Sequence, residues 1–309
     1  MKSQEFNPET DGFYGVYYPC PRTVFCTVIA MTGDSCKDHL ARSTVRWLHS
    51  LNCNVLAVSP AEHDYSLHNY PLEQFEKAIR WLRGQGNKKI GILGASSTGN
   101  LALLAASCYD EISLTLALSP SDFVMEGYYQ ENGTERPGDQ ESTVSYQGKP
   151  LPYLPYAYRH PEYNERLKKE ARLTHNRMAS RQMFDLSELF HPVTDRERIK
   201  VEKIRGTLVL IGAEDDVLWD TCKYIRRMTQ ELKRAKSPVV RYSLIYDHGT
   251  HFLFPQSMMN KVIPVGSSLL VSLFFQAGRN FPEECRRSRI DLDRRLRKII
   301  KQWQDGNTQ

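Results

Sequence analysis

A doubly wound α/β domain, with a mostly parallel sheet and a long inserted cap, is the fold that this sequence predicts. Three observations predict it. Short apolar runs alternate with helical patterns from about residue 13 to 120. The runs are nearly continuous in apolarity rather than alternating, which suits strands covered on both faces. The same rhythm resumes after residue 206, beyond a polar stretch rich in Pro and Tyr.

The first runs, FYGVYY (13–18), TVFCTVIAM (23–31) and NVLAVS (54–59), read as strands. In PLEQFEKAIRWLRG, Leu72, Phe75, Ile79 and Leu82 recur at helical spacing, Pro71 suits a first turn and Gly84 suits the stop. KKIGILG (88–94) is the next strand, a small-residue helical pattern follows it directly, and ISLTLAL (112–118) is another strand. The order βαβαβαβ points to a parallel sheet with crossover helices. Residues 121–205 break the pattern, and no compact domain holds a structureless loop of that length. They read as an inserted cap with a helical portion around 162–190. TLVLIG (207–212), a helix over about 219–235 and VVRYSLIY (239–246) restore the rhythm, and a closing helix covers about 282–303. The expected organisation is therefore a core of residues 1–120 and 206–309 with a cap of residues 121–205.

Composition narrows the classes of function. With 40% hydrophobic and 25% charged residues, the chain of 309 reads as an ordinary globular protein. A formal charge of +5 makes no polyanionic partner necessary. The basic run RRSRIDLDRRLRKIIKQW carries an apolar stripe of Ile290, Leu292, Leu296, Ile299 and Ile300, so its charges read as the solvated face of a docking helix and no nucleic-acid partner is expected. Cys20, Cys26, Cys36, Cys53, Cys108, Cys222 and Cys285 form no C-x-x-C pair and no metal spacing. They read as small core residues in a reducing compartment, with neither metal nor cofactor expected. MKSQEFNPETDG lacks an apolar signal region and no run is long enough to span a bilayer, so the expectation is a cytoplasmic protein without a membrane span. Nothing in the sequence sets an oligomeric state.

GASSTG, between strand and helix, is the first candidate for chemistry. A nucleophilic serine on a strained strand-to-helix turn needs small residues two before and two after it, and a neighbouring base to take its proton. Ser96 is flanked at those positions by Gly94 and Thr98, and Ser97 by Ala95 and Gly99. Steric crowding by Thr98 favours Ser97. Such a serine is followed in chain order by an acid and then a histidine, each at a strand end. GAEDDVLW supplies Asp215 and Asp216 after TLVLIG, with a helix N-cap as the alternative role for either, and DHGTHFLFP supplies His248 and His251 after VVRYSLIY. Asp215, Ser96 and His251 are the expected acid, nucleophile and base. Backbone N–H groups of Ser97 and Asp34 are the expected oxyanion donors.

From about residue 24 to 303 the chain resembles the catalytic domain of the acyl-CoA thioesterase and bile acid-CoA:amino acid N-acyltransferase family, a family of α/β hydrolases. PLEQFEKAIRWL, IGILGASSTGNLALLAAS, YQGKPLP, IKVEKIRGTLVLIGAEDDVLW and YDHGTHFLFP carry the resemblance. It implies an α/β-hydrolase fold with Ser96 as nucleophile, through the gapless match to G-x-S-x-G-G-E, and Asp215 and His251 as acid and base. The acid loop is one residue longer here, which keeps Asp216 in competition. Thr98 and Asn100 replace the family's Gly and Glu, the 121–205 insertion is longer than the resemblance leads one to expect, and the animal enzymes' N-terminal β-sandwich is not expected here. The conjugating branch uses cysteine, so serine implies transfer to water. The expected function is hydrolysis of thioesters or esters, with a small-molecule acyl substrate held under the Tyr-rich cap. The competing readings are a carboxylesterase or small peptidase with no use for coenzyme A, and a catalytically silent binding module, which Thr98 encourages.

Overall fold

The computed structural model describes residues 3–33, 35–60, 66–131, 134–174, 179–262 and 267–306, and its spine is a single eight-stranded sheet. The chain enters through β1 (Gln4–Phe6), α1 (Pro8–Asp11) and β2 (Gly15–Tyr18). It continues through β3 (Cys26–Met31), α2 (His39–His49), β4 (Asn54–Val58), β5 (Tyr70–Pro71), α3 (Glu73–Gly84), β6 (Lys89–Ala95), α4 (Ser97–Cys108) and β7 (Ile112–Leu118). After a long excursion come β12 (Thr207–Ala213), α7 (Thr221–Arg234), β13 (Val240–Tyr246), α8 (Gln256–Val262), α9 (Ser267–Phe274), α10 (Gln276–Asn280) and α11 (Pro282–Asp305). The strand order is β1-β2-β4-β3-β6-β7-β12-β13. From β4 to β13 every pair is parallel, while β1 and β2 add an antiparallel edge.

Successive strand residues face opposite layers, and the side chains sort accordingly. Ile29, Leu56, Ile90, Ile92, Leu208 and Leu210 pack with α3, α4 and α7 through Phe75, Ile79, Leu101, Leu104, Ile225 and Met228. Their neighbours Val28, Val55, Leu93, Val209 and Ile211 pack on the other face with Trp47 and Leu48 of α2 and with Leu292, Leu296, Ile299 and Trp303 of α11. The sheet is therefore doubly wound. The inward line of α11 is Cys285, Arg289, Leu292, Leu296, Ile299 and Trp303. Ile290, assigned to the apolar stripe from its sequence spacing, sits one residue out of phase with this line and is exposed.

Between β7 and β12 the chain leaves the sheet. It forms β8 (Glu126–Glu131) paired with β9 (Thr134–Ser142), then β10 (Val144–Tyr146) paired with β11 (Lys149–Pro150), then α5 (Pro161–Thr174) and α6 (Arg181–Phe190). β10 lies parallel to β5. An aromatic cluster joins this segment to the core: Phe123, Tyr156 and Phe184 pack with Trp219 and Tyr224. An ionic bridge does the same. Arg227 of α7 forks onto Asp122 and also reaches Glu188 of α6, which Lys223 contacts at 2.8 Å.

Because β4 lies on one side of β3 and β6 on the other, the strand order reverses between β3 and β6. Crevices beyond the carboxyl ends of strands at such a point are the usual ligand sites of this architecture. β6 delivers Ser96 there.

Candidate functional site

Ser96 stands between the last residue of β6 and the first of α4, at φ 61° and ψ −130°. A residue with a Cβ in that region stores about 1–3 kcal/mol of strain, so its surroundings must hold it. Three contacts do. The Ser96 N–H donates to the Leu118 carbonyl at 2.8 Å, tying the turn to the end of β7. A Cβ on Gly94 would lie 2.0 Å from the Thr98 carbonyl oxygen, so strand and helix can meet this closely only at a glycine. Thr98 is buried and its hydroxyl works under the turn, accepting from the Ala95 N–H at 3.0 Å and lying 2.6 Å from the Met31 carbonyl. The crowding expected of Thr98 is absent because its side chain points down to β3 and β6. Asn100 holds the outgoing chain, accepting from the Ser121 N–H at 2.7 Å and donating to its hydroxyl at 2.8 Å. Ser97 is different: it begins α4, and its buried hydroxyl is 3.0 Å from that of Tyr128.

The two acidic and two histidine candidates sort into pairs. His251 Nδ1 is 2.8 Å from Asp216 Oδ2, and both residues are buried. The Thr221 hydroxyl donates to the same oxygen at 2.5 Å, and the Leu218 N–H donates to Oδ1 at 2.9 Å. Asp215, expected beside His251, lies elsewhere. It accepts from the N–H groups of Gly249 (3.1 Å) and Thr250 (2.8 Å) and sits 3.3 Å from His248 Nδ1. The physical reason is a tight turn, closed by the Asp216 N–H donating to the Ala213 carbonyl. It delivers the second aspartate, not the first, to the imidazole. Burial pushes the Asp215 carboxyl above its ordinary value, against the two backbone donors and His248, which act to lower it.

The far side of the His251 ring, Nε2, is buried and makes no hydrogen bond among the described residues. Trp219 meets the ring edge-on at 4.8 Å, and its indole N–H donates to the Ser119 carbonyl at 3.2 Å. The Ser119 hydroxyl in turn donates to the His251 carbonyl at 3.2 Å. The serine turn and the histidine loop are therefore fastened to successive residues, Leu118 and Ser119. Of the expected oxyanion donors, Ser97 opens α4, whose N-terminal N–H groups and dipole favour negative charge. Asp34 lies outside the described residues. Among the described residues, no group of three His, Cys, Asp or Glu side chains could hold a metal ion.

Residues 70–261 match the family described as BAAT / acyl-CoA thioester hydrolase C terminal, a span that includes Ser96, Asp216 and His251. The chain belongs to that family. No curated protein matches it. Among solved structures, it is similar to MGS-M1, an α/β-hydrolase enzyme from a Medee basin deep-sea metagenome library, with a TM-score of 0.50, 13% identity, and coverage of 97% of this chain and 98% of that one. It is also similar to the Pyrococcus furiosus esterase Pf2001, with a TM-score of 0.46, 17% identity, and coverage of 88% and 95%. The likeness to MGS-M1, at 13% identity, speaks to the fold alone: this member of the thioester hydrolase C-terminal family has an α/β-hydrolase fold.

In this member of the thioester hydrolase family, sequence reasoning missed Ser119, Tyr128 and Trp219 as contacts of the site. Trp219 carried a signal, closing the same GAEDDVLW stretch that holds the acids. Ser119 and Tyr128 carried none, because their roles come from residues 132 and 31 positions away along the chain. Among the described residues, no helix is long and apolar enough to cross a membrane.

Proposed function

We propose that this chain is a serine hydrolase of acyl thioesters or esters, working through Ser96, His251 and Asp216 and an acyl-enzyme. The observation that carries the reading is a buried imidazole whose Nδ1 is fixed by the Asp216 carboxylate and whose Nε2 has no partner among the described residues, on a loop fastened to Ser119, next to the Leu118 carbonyl that holds Ser96 at φ 61°. Asp216 accepts from Nδ1–H and so keeps the Nε2 lone pair available. His251 takes the proton of Ser96 as the hydroxyl oxygen attacks the acyl carbon, and the Ser97 N–H at the head of α4 receives the oxyanion. The protonated imidazole then assists the leaving group, although a departing thiolate needs little help. Water, activated by the same imidazole, frees Ser96. In this reading residues 121–205 form a cap, and the acyl chain runs along the aromatic cluster that reaches His251 through Trp219 and Phe184.

A fluorophosphonate probe tests the nucleophile. Labelling is expected in the wild type and in Ser97→Ala and is lost in Ser96→Ala; the reverse pattern moves the role to Ser97. A panel of acyl-CoAs and p-nitrophenyl esters across chain lengths tests the substrate class. Faster hydrolysis of the thioesters supports the thioesterase reading, and equal rates leave only the broader esterase.

A further inference from the structure

At the amino ends of β3 and β4, away from the carboxyl ends where Ser96 sits, two thiols lie side by side. β3 and β4 are parallel with Thr27 beside Asn54, which sets Cys26 beside Cys53 one step earlier in the register. Neighbouring strands run about 4.7–4.9 Å apart, inside the Cα separation of about 4.4–6.8 Å that a disulfide accepts. Both cysteines are buried, and one side chain covers both: the Gln304 amide lies 3.5 Å from the Cys26 sulfur and 3.2 Å from that of Cys53. Gln304 belongs to the last turn of α11, and Lys89 anchors that turn by donating to the Trp303 and Gln304 carbonyls. The Cys26 thiol donates to the Asn52 carbonyl at 3.4 Å and the Cys53 thiol to that of Leu51 at 3.8 Å. Cys53, Gln304 and Lys89 act to hold the Cys26 thiol below its ordinary value against burial. Cys26 is 8% exposed and Cys53 fully buried, so Cys26 is the one placed to meet an oxidant first and Cys53 to resolve it.

We propose that Cys26 and Cys53 are an oxidisable dithiol that hydrogen peroxide converts to a disulfide joining β3 to β4. The Cys26 thiolate attacks peroxide, forming an S–O bond as the O–O bond breaks, and the departing hydroxide takes a proton to become water. The Cys53 sulfur then attacks the sulfenic sulfur, forming the S–S bond. The S–O bond breaks, and the leaving hydroxide carries off the Cys53 proton as a second water. The two sulfurs together lose two electrons and peroxide gains them.

The test is peroxide treatment of the folded full chain near neutral pH, followed by mass spectrometry. The expected result is loss of two hydrogens and a peptide linking Cys26 to Cys53. In Cys53→Ser, a sulfenic acid trapped by dimedone is expected on Cys26, at roughly tenfold the level on Cys36 or Cys222, whose thiols burial pushes up. The proposal is overturned if the folded wild type forms no such link, if Cys26 or Cys53 pairs with Cys20 instead, or if Cys108, the most exposed thiol among the described residues, reacts first.

Discussion

Replacing Asp216 by Asn should lower hydrolysis by orders of magnitude while the protein still folds. The reason lies in the three donors that converge on its carboxylate. Oδ1 accepts from the Leu218 N–H, and Oδ2 receives both the Thr221 hydroxyl and His251 Nδ1. An asparagine keeps its oxygen on Leu218 and turns its NH₂ toward the other two. Thr221 can rotate to accept, and the imidazole can accept at Nδ1 by moving its proton to Nε2. The Leu218 and imidazole bonds are kept, but the proton moved to Nε2 finds no partner among the described residues and the Thr221 hydroxyl hydrogen loses its acceptor, and an unpaired buried donor costs about 1–3 kcal/mol. In the proposed mechanism the imidazole now presents N–H to Ser96 where it must present a lone pair. A change of this kind lowers turnover by about 10⁴-fold in other Ser-His-Asp sites. Asp215→Asn provides the contrast, because its amide oxygen can still accept from Gly249 and Thr250; turnover is expected to stay within about tenfold of wild type, a loss of no more than ~1.4 kcal/mol in barrier terms. Initial rates on a short-chain p-nitrophenyl ester and an acyl-CoA, measured beside thermal melts, read both effects. If Asp215→Asn lost the larger share of turnover while both proteins remained folded, the pairing of His251 with Asp216 would not be the working one.

Three further changes read other parts of the same scaffold. Gly94→Ala puts a methyl 2.0 Å from a backbone oxygen that cannot yield, so the elbow should fail, costing more than about 4 kcal/mol and eliminating fluorophosphonate labelling of any soluble protein. Thr98→Ala leaves the Ala95 N–H without its hydroxyl acceptor and removes the link to Met31; about 1–3 kcal/mol should be lost, seen in calorimetry as a melting point lower by roughly 2–5 °C. Glu188→Gln tests the ionic bridge between α6 and α7. Burial pushes the Glu188 carboxyl up, but Lys223 and Arg227 outweigh it and hold the group below its ordinary value. A depressed carboxyl contributes stability above its unfolded pKa and loses it as pH falls through the folded one, so the variant should show a flatter decline in melting temperature below about pH 4.5 than the wild type.

The central strands β3, β4, β6, β7 and β12 were legible because burial on both faces leaves a long apolar run, whereas β1, β5 and β8–β11, short or polar, were not read. Nor were the layers. Val28 and Ile29 look interchangeable in the sequence, yet one faces α2 and α11 and the other faces α3 and α4, a distinction set by pleat and register. Helices α8, α9 and α10 also escaped notice, since each is too short to show a full apolar period. At the site, residue types and chain order were readable, while every choice between adjacent residues was not. Ser96 and Ser97 differ by a backbone angle and by a tyrosine 31 residues downstream. Asp215 and Asp216 differ by the side of one turn on which each emerges, and that turn is fixed by the Ala213 carbonyl together with the loop bearing Gly249 and Thr250. The same loop explains why both acids are there. Asp216 fixes the imidazole, while Asp215 fixes the two peptide groups just before it, adding to the Ser119 hydroxyl that holds the His251 carbonyl. The adjacent acids divide the labour: one aspartate orients the imidazole and its neighbour holds the backbone that carries it.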